Sequence, residues 1–194
     1  FILSGPGGTG KTFLLAHIKK DIEESAKLYA EVADTREKAK ALAVQIVVTA
    51  TQNDPVSNLI NHGFHEAVTI YSYLNLVTKP DNNGDYKLEK GSNFANVMYQ
   101  LTRTNTIIII DEVSHLSRQV FNILRDSSAR CILMGDAAQL LSVETGDFSV
   151  FHPKHNIKSF ELTENFRAQS DGLKEMNVKL RQAVFDGTFP PILH

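Results

Sequence analysis

The 194-residue sequence contains one cysteine, carries a formal net charge of only −2 and holds no apolar run long enough to span a membrane. Each shortage excludes a class. A lone cysteine rules out a disulfide framework, and Cys131 lies in the apolar run Cys131-Ile132-Leu133-Met134. It reads as a reduced core thiol, which points to an intracellular, cytoplasmic or nucleoid-associated setting or a phage-infected cell. Near-neutral charge withholds the global basic field of many nucleic-acid binders, although one groove can be locally positive on a neutral protein. With no membrane-spanning stretch and no signal peptide, no membrane partner is expected. His62-x-x-His65 and His152-x-x-His155 lack the further ligands a zinc site needs and read as structural or surface histidines. No internal repeat or low-complexity tract appears. An initial methionine is also missing, and only Phe1-Ile2-Leu3-Ser4 precedes a glycine-rich loop, so the sequence reads as part of a longer protein.

What is present suits one folded domain: 42% of residues are hydrophobic and 22% charged. Five short apolar runs recur, at Phe1–Leu3, Gln45–Val48, Ile107–Ile110, Cys131–Met134 and Lys158–Leu162. Four consecutive isoleucines are too short for a lone helix and strongly β-branched, as in a strand covered on both faces of a parallel sheet. Amphipathic helices are expected over Thr12–Tyr29, Ser117–Asp126 and Ser170–Phe185, with Glu31–Ala43 continuing the first or forming another. This alternation predicts an α/β fold, a parallel sheet flanked by helices. One stretch breaks the rhythm: Leu76-Val77-Thr78 and Tyr86-Lys87-Leu88 flank an Asn83-Gly84 turn signal, predicting a small inserted β-hairpin within 75–105. Polar residues gather just after all five apolar runs, at the edge where open α/β sheets bind ligands.

Gly5-Pro6-Gly7-Gly8-Thr9-Gly10-Lys11-Thr12 matches G-x-x-x-x-G-K-[ST], a match expected by chance in roughly one chain of this length in a hundred. Glycines let successive N–H groups turn onto phosphate oxygens, and the following helix adds its positive end. Lys11 would reach the β- and γ-phosphates of ATP, and the Thr12 hydroxyl would ligate Mg²⁺. The same residues satisfy G-x-G-x-x-G, the dinucleotide fingerprint. That alternative needs an acid after the next strand, where Thr49-Ala50-Thr51 stands instead, and leaves Lys11-Thr12 without a task. Asp111-Glu112 follows the isoleucine run. There Asp111 would hold the cation and Glu112 would orient and deprotonate an attacking water; the plain alternative is an exposed acidic strand end.

In order along the chain stand Gly5–Thr12, Val48-Thr49-Ala50-Thr51, Thr69-Ile70-Tyr71-Ser72-Tyr73-Leu74, Asp111-Glu112-Val113-Ser114, Gly135-Asp136-Ala137-Ala138-Gln139-Leu140 and Leu162-Thr163-Glu164-Asn165-Phe166-Arg167. This set resembles the first RecA-like motor domain of superfamily-one DNA helicases, in the branch of the phage Dda, bacterial RecD and eukaryotic PIF-type enzymes. The resemblance spans nearly the whole chain. It implies a P-loop NTPase fold over residues 1–194, with the second motor domain lying elsewhere. By the same resemblance Gln139 senses the γ-phosphate, with Asp136 supporting it, and Arg167 acts as an arginine finger beside Lys11 and Glu112. Thr49, Thr51, Thr69 and Tyr71 would meet single-stranded DNA, Tyr71 either stacking on a base or serving with Tyr73 as a core aromatic.

The likeness implies ATP and Mg²⁺ as cofactors, single-stranded DNA and a second RecA-like domain as partners, and 5′-to-3′ movement. Some positions depart from it. Ala50 stands where relatives commonly have proline, and Gln52-Asn53-Asp54-Pro55 replaces a run of small residues. The interval before the second strand is longer than usual. The hairpin matches the place of a strand-separating pin, but its tip is polar, with Tyr86 the nearest aromatic. The later motifs, the second domain's arginine and an adenine-reading segment before the first strand are absent. A rival reading, from PhoH-type ATPases that share the loop and the Gly-Asp-x-x-Gln element, is a nucleotide-dependent switch that grips nucleic acid without unwinding it.

Overall fold

The computed structural model describes residues 1–36, 38, 43–80, 86–127, 129–139, 148–167 and 170–186. Among them run strands β1 (Ile2–Ser4), β2 (Val44–Ala50), β3 (Val68–Thr69), β4 (Leu76–Pro80), β5 (Tyr86–Lys90), β6 (Asn105–Asp111), β7 (Arg130–Gly135) and β8 (Ser159–Glu161). The helices are α1 (Lys11–Glu31), α2 (Asn53–Asn61), α3 (Ile70–Tyr73), α4 (Phe94–Arg103), α5 (Arg118–Arg125) and α6 (Asp171–Asp186). Six strands form one parallel sheet in the order β3-β2-β6-β7-β1-β8.

The isoleucine run shows why the sheet is covered on both faces. Successive side chains of a strand point to opposite sides. Ile108 and Ile110 enter a core with Val120, Phe121 and Leu124 of α5 and Leu101 of α4. Ile107 and Ile109 enter another with Leu15 of α1 and Leu59 of α2. Ile108, Ile109 and Ile110 are fully buried. The same alternation sends Ile2 and Leu133 to the first core and Leu3 and Met134 to the second. Cys131 packs against the first core, and burial pushes its thiol up to about 11, as expected of a core thiol.

All five expected strands are found: β2, β6 and β7 are longer than expected, β1 is shifted by one residue and β8 is shorter, and β3 adds a sixth that two residues could not announce. Helix α2 was hidden by Pro55, which is tolerated because it stands in the first helical turn, where its missing N–H removes no internal bond. Helix α4 lies in the stretch expected as part of the hairpin insertion; Phe94, Val97, Met98 and Leu101 give it a face on the first core. Helix α1 ends at Glu31; Val32 to Thr35, within the stretch expected as further helix, are turn and bend, while 37 and 39–42 lie outside the described residues, as does the Asn83-Gly84 turn.

The two flanks of that turn do pair, antiparallel, as a sheet of their own, with Leu76 opposite Lys90 and Pro80 opposite Tyr86. Its base is closed by Asn75, at φ 54°, whose side-chain oxygen accepts from Asn93 N–H at 2.8 Å and whose carbonyl accepts from Gly91 N–H at 2.8 Å. A side chain on Gly91 would stand 2.4 Å from the Asn75 amide oxygen, so this junction requires glycine. Leu76 is buried in the first core and Leu88 packs against it, which seats the hairpin on the sheet domain. No helix among the described residues is long and apolar enough to cross a membrane.

Candidate functional site

Parallel strands bring their carboxyl ends to one edge. The register sets Ser4 beside Gly135 and Glu161, and Ala50 beside Asp111. Every sequence-predicted residue stands at or just beyond this edge, those around β3 included, since Thr69 pairs with Ala50. Strand β7 lies between β1 and β6, so the Asp111 strand is one strand removed from the glycine loop and not its neighbour.

The loop from Gly5 to Gly10 is held at both ends. Gly5 N–H donates to Gly135 carbonyl at 3.1 Å, and Gly10 caps α1 with φ 82°. Thr9, buried, donates its hydroxyl to Pro6 carbonyl at 2.9 Å. Lys11 Nζ curls over the loop and donates to the carbonyls of Gly5 at 2.8 Å and Pro6 at 3.0 Å. Burial lowers the Lys11 pKa, opposed by the charges of Glu112, Asp111 and Asp136 and assisted by Arg181. All four charged groups therefore lie within electrostatic reach of the loop. Thr12 follows, half-buried, in the first turn of α1.

Asp111 ends β6 and is buried; Glu112 next to it adopts the left-handed conformation, φ 54° and ψ 45°. A non-glycine residue there is uncommon and stores strain that neighbouring contacts must hold. Those contacts come from Thr51, whose hydroxyl donates to Glu112 carbonyl at 2.8 Å and whose N–H donates to Asp111 carbonyl at 3.3 Å. The Glu112 N–H turns back to Asp111 Oδ1 at 3.0 Å. Burial, then the Glu112 charge, pushes the Asp111 carboxyl up to about 6, against the pull of that N–H and of Lys11. This paired acidic end, buried on one residue and half-buried on the other, differs from a solvated strand terminus.

Two further loops close on the site. After β7, Asp136 Oδ1 accepts from Ala138 N–H at 2.9 Å and Asp136 carbonyl from Gln139 N–H at 3.1 Å, forming a tight turn. Ser114 Oγ donates to Gln139 Oε1 at 3.0 Å, joining this turn to the segment after Glu112. Leu140 lies outside the described residues. After β8, Asn165 Nδ2 donates to Gly7 carbonyl at 3.2 Å and Phe166 N–H to Gly8 carbonyl at 3.0 Å. Arg167 thereby rests over the glycine loop, its Nη1 4.0 Å from where a Gly7 side chain would begin.

The residues expected to meet a nucleic-acid strand divide. Thr49 is fully buried and donates its hydroxyl to Ile109 carbonyl at 2.9 Å, so its side chain serves the core in place of a surface contact. Thr51, also buried, spends its hydroxyl on Glu112, as described. Thr69 caps α3, accepting from Ser72 N–H at 3.1 Å, and remains half-buried. Tyr71 is half-buried against the first core, as is Tyr73. The histidines behave structurally: His62 Nδ1 pairs with Asn58 carbonyl at 2.7 Å, and the His155 ring packs 4.7 Å from Phe121 and 5.6 Å from Phe148.

Sequence reasoning missed several participants. Ser114 and Asn165 lay inside quoted segments but had no assigned task. Arg181, on α6, pairs with Asp136 and, at 3.0 Å, with Glu161 Oε1. No local pattern distinguishes it from any arginine on an amphipathic helix.

This chain is similar to the Pif1 helicase of Candida albicans, with 22% sequence identity and a TM-score of 0.61 over 98% of this chain and 41% of that one. At this identity the likeness shows the fold, a RecA-like P-loop sheet, and the chain spans less than half of that protein's length. No curated protein matches it. An AAA-domain family matches residues 1–187, nearly the full length, with the glycine loop, Asp111-Glu112, Gln139 and Arg167 all inside the matched span. The chain belongs to this AAA-domain family.

Proposed function

We propose that the chain is the first motor domain of an ATP-dependent DNA helicase, binding and hydrolysing ATP to move along single-stranded DNA. The observation that carries the reading is one glycine loop on which Lys11 rests and to which Asn165 and Phe166 bond beside Arg167, with the Asp111 and Glu112 charges acting on Lys11 and Gln139 joined to the segment after Glu112 through Ser114. A dinucleotide site would use neither Lys11 nor Arg167.

The geometry supports the roles proposed for these residues. Lys11 now satisfies its ammonium on two loop carbonyls; a triphosphate offers stronger, charged acceptors in exchange. Loop N–H groups and the start of α1 add further donors for the phosphate oxygens. Thr12 and Asp111 would supply oxygen donors suited to Mg²⁺, which takes few protein ligands and favours carboxylate with phosphate. The poorly compensated Asp111 carboxyl fits that role, since a nearby dication stabilises its charged form. When bound, the cation would neutralise charge on the transferring phosphoryl group. Glu112, fixed by its strained backbone and Thr51, would orient the attacking water and take its proton. Gln139, held by Ser114, would report the γ-phosphate, and Arg167 would stabilise charge developing in the transition state.

A second RecA-like domain of the same protein would cover the nucleotide from the other side, consistent with the limited share of the Pif1 helicase that this chain spans. On the nucleic-acid side, Thr69 and Tyr71 remain as candidate contacts, while the buried Thr49 and Thr51 act from within. Movement from 5′ to 3′ is carried by the family resemblance.

Strand displacement by the full-length protein on a duplex with a 5′ single-stranded tail tests the proposal. Unwinding that needs ATP and Mg²⁺ supports it. ATP turnover stimulated by single strands without any duplex opening would replace the motor with the nucleotide-dependent switch.

A further inference from the structure

Helix α6 bears several exposed apolar side chains, Leu173, Met176, Val178, Leu180 and Val184 among them. One long polar side chain on it behaves differently: Arg181 is only 15% exposed. Its guanidinium is pinned on three sides, by Asp136, by Glu161 Oε1 at 3.0 Å and by the Phe185 ring 5.4 Å away.

The two acids belong to different parts of the site. Asp136 opens the turn that carries Gln139, and its Oδ1 is shared: it accepts from Arg181 and, at 2.9 Å, from Ala138 N–H. Glu161 ends β8, beside Ser4 of β1, and leads directly into the segment where Asn165 and Phe166 grip the glycine loop. A groove lined by Pro6, Gly7, Asp136, Asn165 and Arg181 runs between α6 and that loop.

We infer that Arg181 is a positioning residue that fixes the Asp136–Gln139 turn and ties it to α6, so that a change in this turn on reading the γ-phosphate is transmitted to α6. The physical reason lies in the shared oxygen. Asp136 is 8% exposed, and a buried carboxylate that loses its cation must find new partners or draw in water. The nearest donor it holds is the Ala138 N–H, which sets the turn. Loss of the guanidinium therefore disturbs the backbone that presents Gln139, although Arg181 has no bond to Gln139 itself. A fork of planar donors meets two carboxylates at once, which lysine cannot imitate. The inference rests on the proposed role of Gln139 for its consequence in function, but the mechanical link is a property of the nucleotide-free protein.

Two measurements on the full-length protein test it. The first is amide hydrogen exchange across 136–139 without nucleotide. Arg181→Ala is expected to raise exchange there about tenfold, and Arg181→Lys to recover only part of the protection. Met176→Ala, which trims an exposed side chain of α6 that does not line this groove, is expected to leave the turn unchanged. The second is the ratio of affinities for a non-hydrolysable ATP analogue and ADP. Arg181→Ala is expected to lower that ratio about fivefold or more while ADP affinity stays within about twofold. Combining Asp136→Asn with Arg181→Ala should add little to either single change.

Unchanged exchange in Arg181→Ala, or an equal rise in Met176→Ala, would overturn the inference by reducing Arg181 to a generic anchor for α6. A normal affinity ratio would also overturn it, because the turn would then be loosened without consequence for the γ-phosphate. If the unaltered protein binds no nucleotide, the proposed function fails instead, and the exchange measurement still decides whether Arg181 holds the turn.

Discussion

Arg167 and Gly8 approach so closely that a side chain on Gly8 would begin 2.5 Å from Arg167 Cβ and 2.8 Å from Asn165 Oδ1. Gly8 also holds φ +84°, where a side chain is strained whatever the space. Gly8→Ala is therefore expected to push the segment after β8 off the glycine loop. The strain alone costs about 1–2 kcal/mol. Turnover should fall more than stability does, by about a hundredfold, because Arg167 leaves its place over the loop. Thermal denaturation and single-turnover hydrolysis measured side by side check this; a variant with lowered Tm and normal turnover would detach Arg167 from catalysis.

Lys11 and Glu112 should separate binding from chemistry. Lys11→Ala removes the ammonium that now bridges the Gly5 and Pro6 carbonyls and is expected to weaken ATP binding at least about tenfold. Glu112→Gln keeps the shape of the side chain and the Thr51 contact to its backbone, so binding should persist while hydrolysis drops about a hundredfold or more. Fluorescent-nucleotide titration and phosphate release measure the two. Normal hydrolysis by Glu112→Gln would move the general base elsewhere.

The Asp111 carboxyl, raised to about 6 from an ordinary value near 3.8, makes a signed prediction for pH. The folded protein holds this proton more tightly than the unfolded chain, so its contribution to stability is fully present below about 3.8 and is lost as pH rises through about 6. In metal-free protein at pH 8, Asp111→Asn is expected to stabilise the fold by on the order of 2 kcal/mol, since a buried charge is removed. The same substitution should abolish the Mg²⁺ dependence of nucleotide binding. Denaturant titrations at pH 4, pH 5 and pH 8 test the sign: the variant's advantage should be small at the first, about half-developed at the second and full at the third.

Thr49 and Tyr71 should differ in what they affect. Thr49→Val removes a buried hydrogen bond to Ile109 and keeps the shape, costing about 1 kcal/mol of stability while single-strand affinity stays unchanged. Tyr71→Leu retains apolar contact with the core but loses the ring, and is expected to weaken single-strand binding about tenfold if that ring stacks on a base. Anisotropy titration with a labelled oligonucleotide compares them. An unaltered affinity in Tyr71→Leu would leave the tyrosine as a core aromatic.

Much of this arrangement was legible in the order of residues because it depends on local chemistry. A glycine-rich turn followed by Lys11-Thr12, β-branched runs with acids at their ends, and helices with a 3.6-residue period are each set by the backbone and side-chain preferences of neighbouring residues. The alternation of Ile107 to Ile110 between two cores was likewise implicit in four isoleucines. Helix α2 was masked because a proline near its start resembles a loop, and β3 was too short to carry a pattern.

The partners of those residues were settled only by the tertiary structure. Thr49 and Thr51 lie two positions apart in one motif, yet one hydroxyl is spent on Ile109 and the other on Glu112, about sixty residues away. Arg181 has no sequence signature, because its meaning comes from Asp136 and Glu161, which reach it from two different strands. The sequence by itself determined which chemical groups stand at the ends of which strands. Strand order and register decided which of them meet, and burial decided which hydroxyls and carboxylates already have partners. Such contacts join residues far apart in the chain and leave no periodic trace in it.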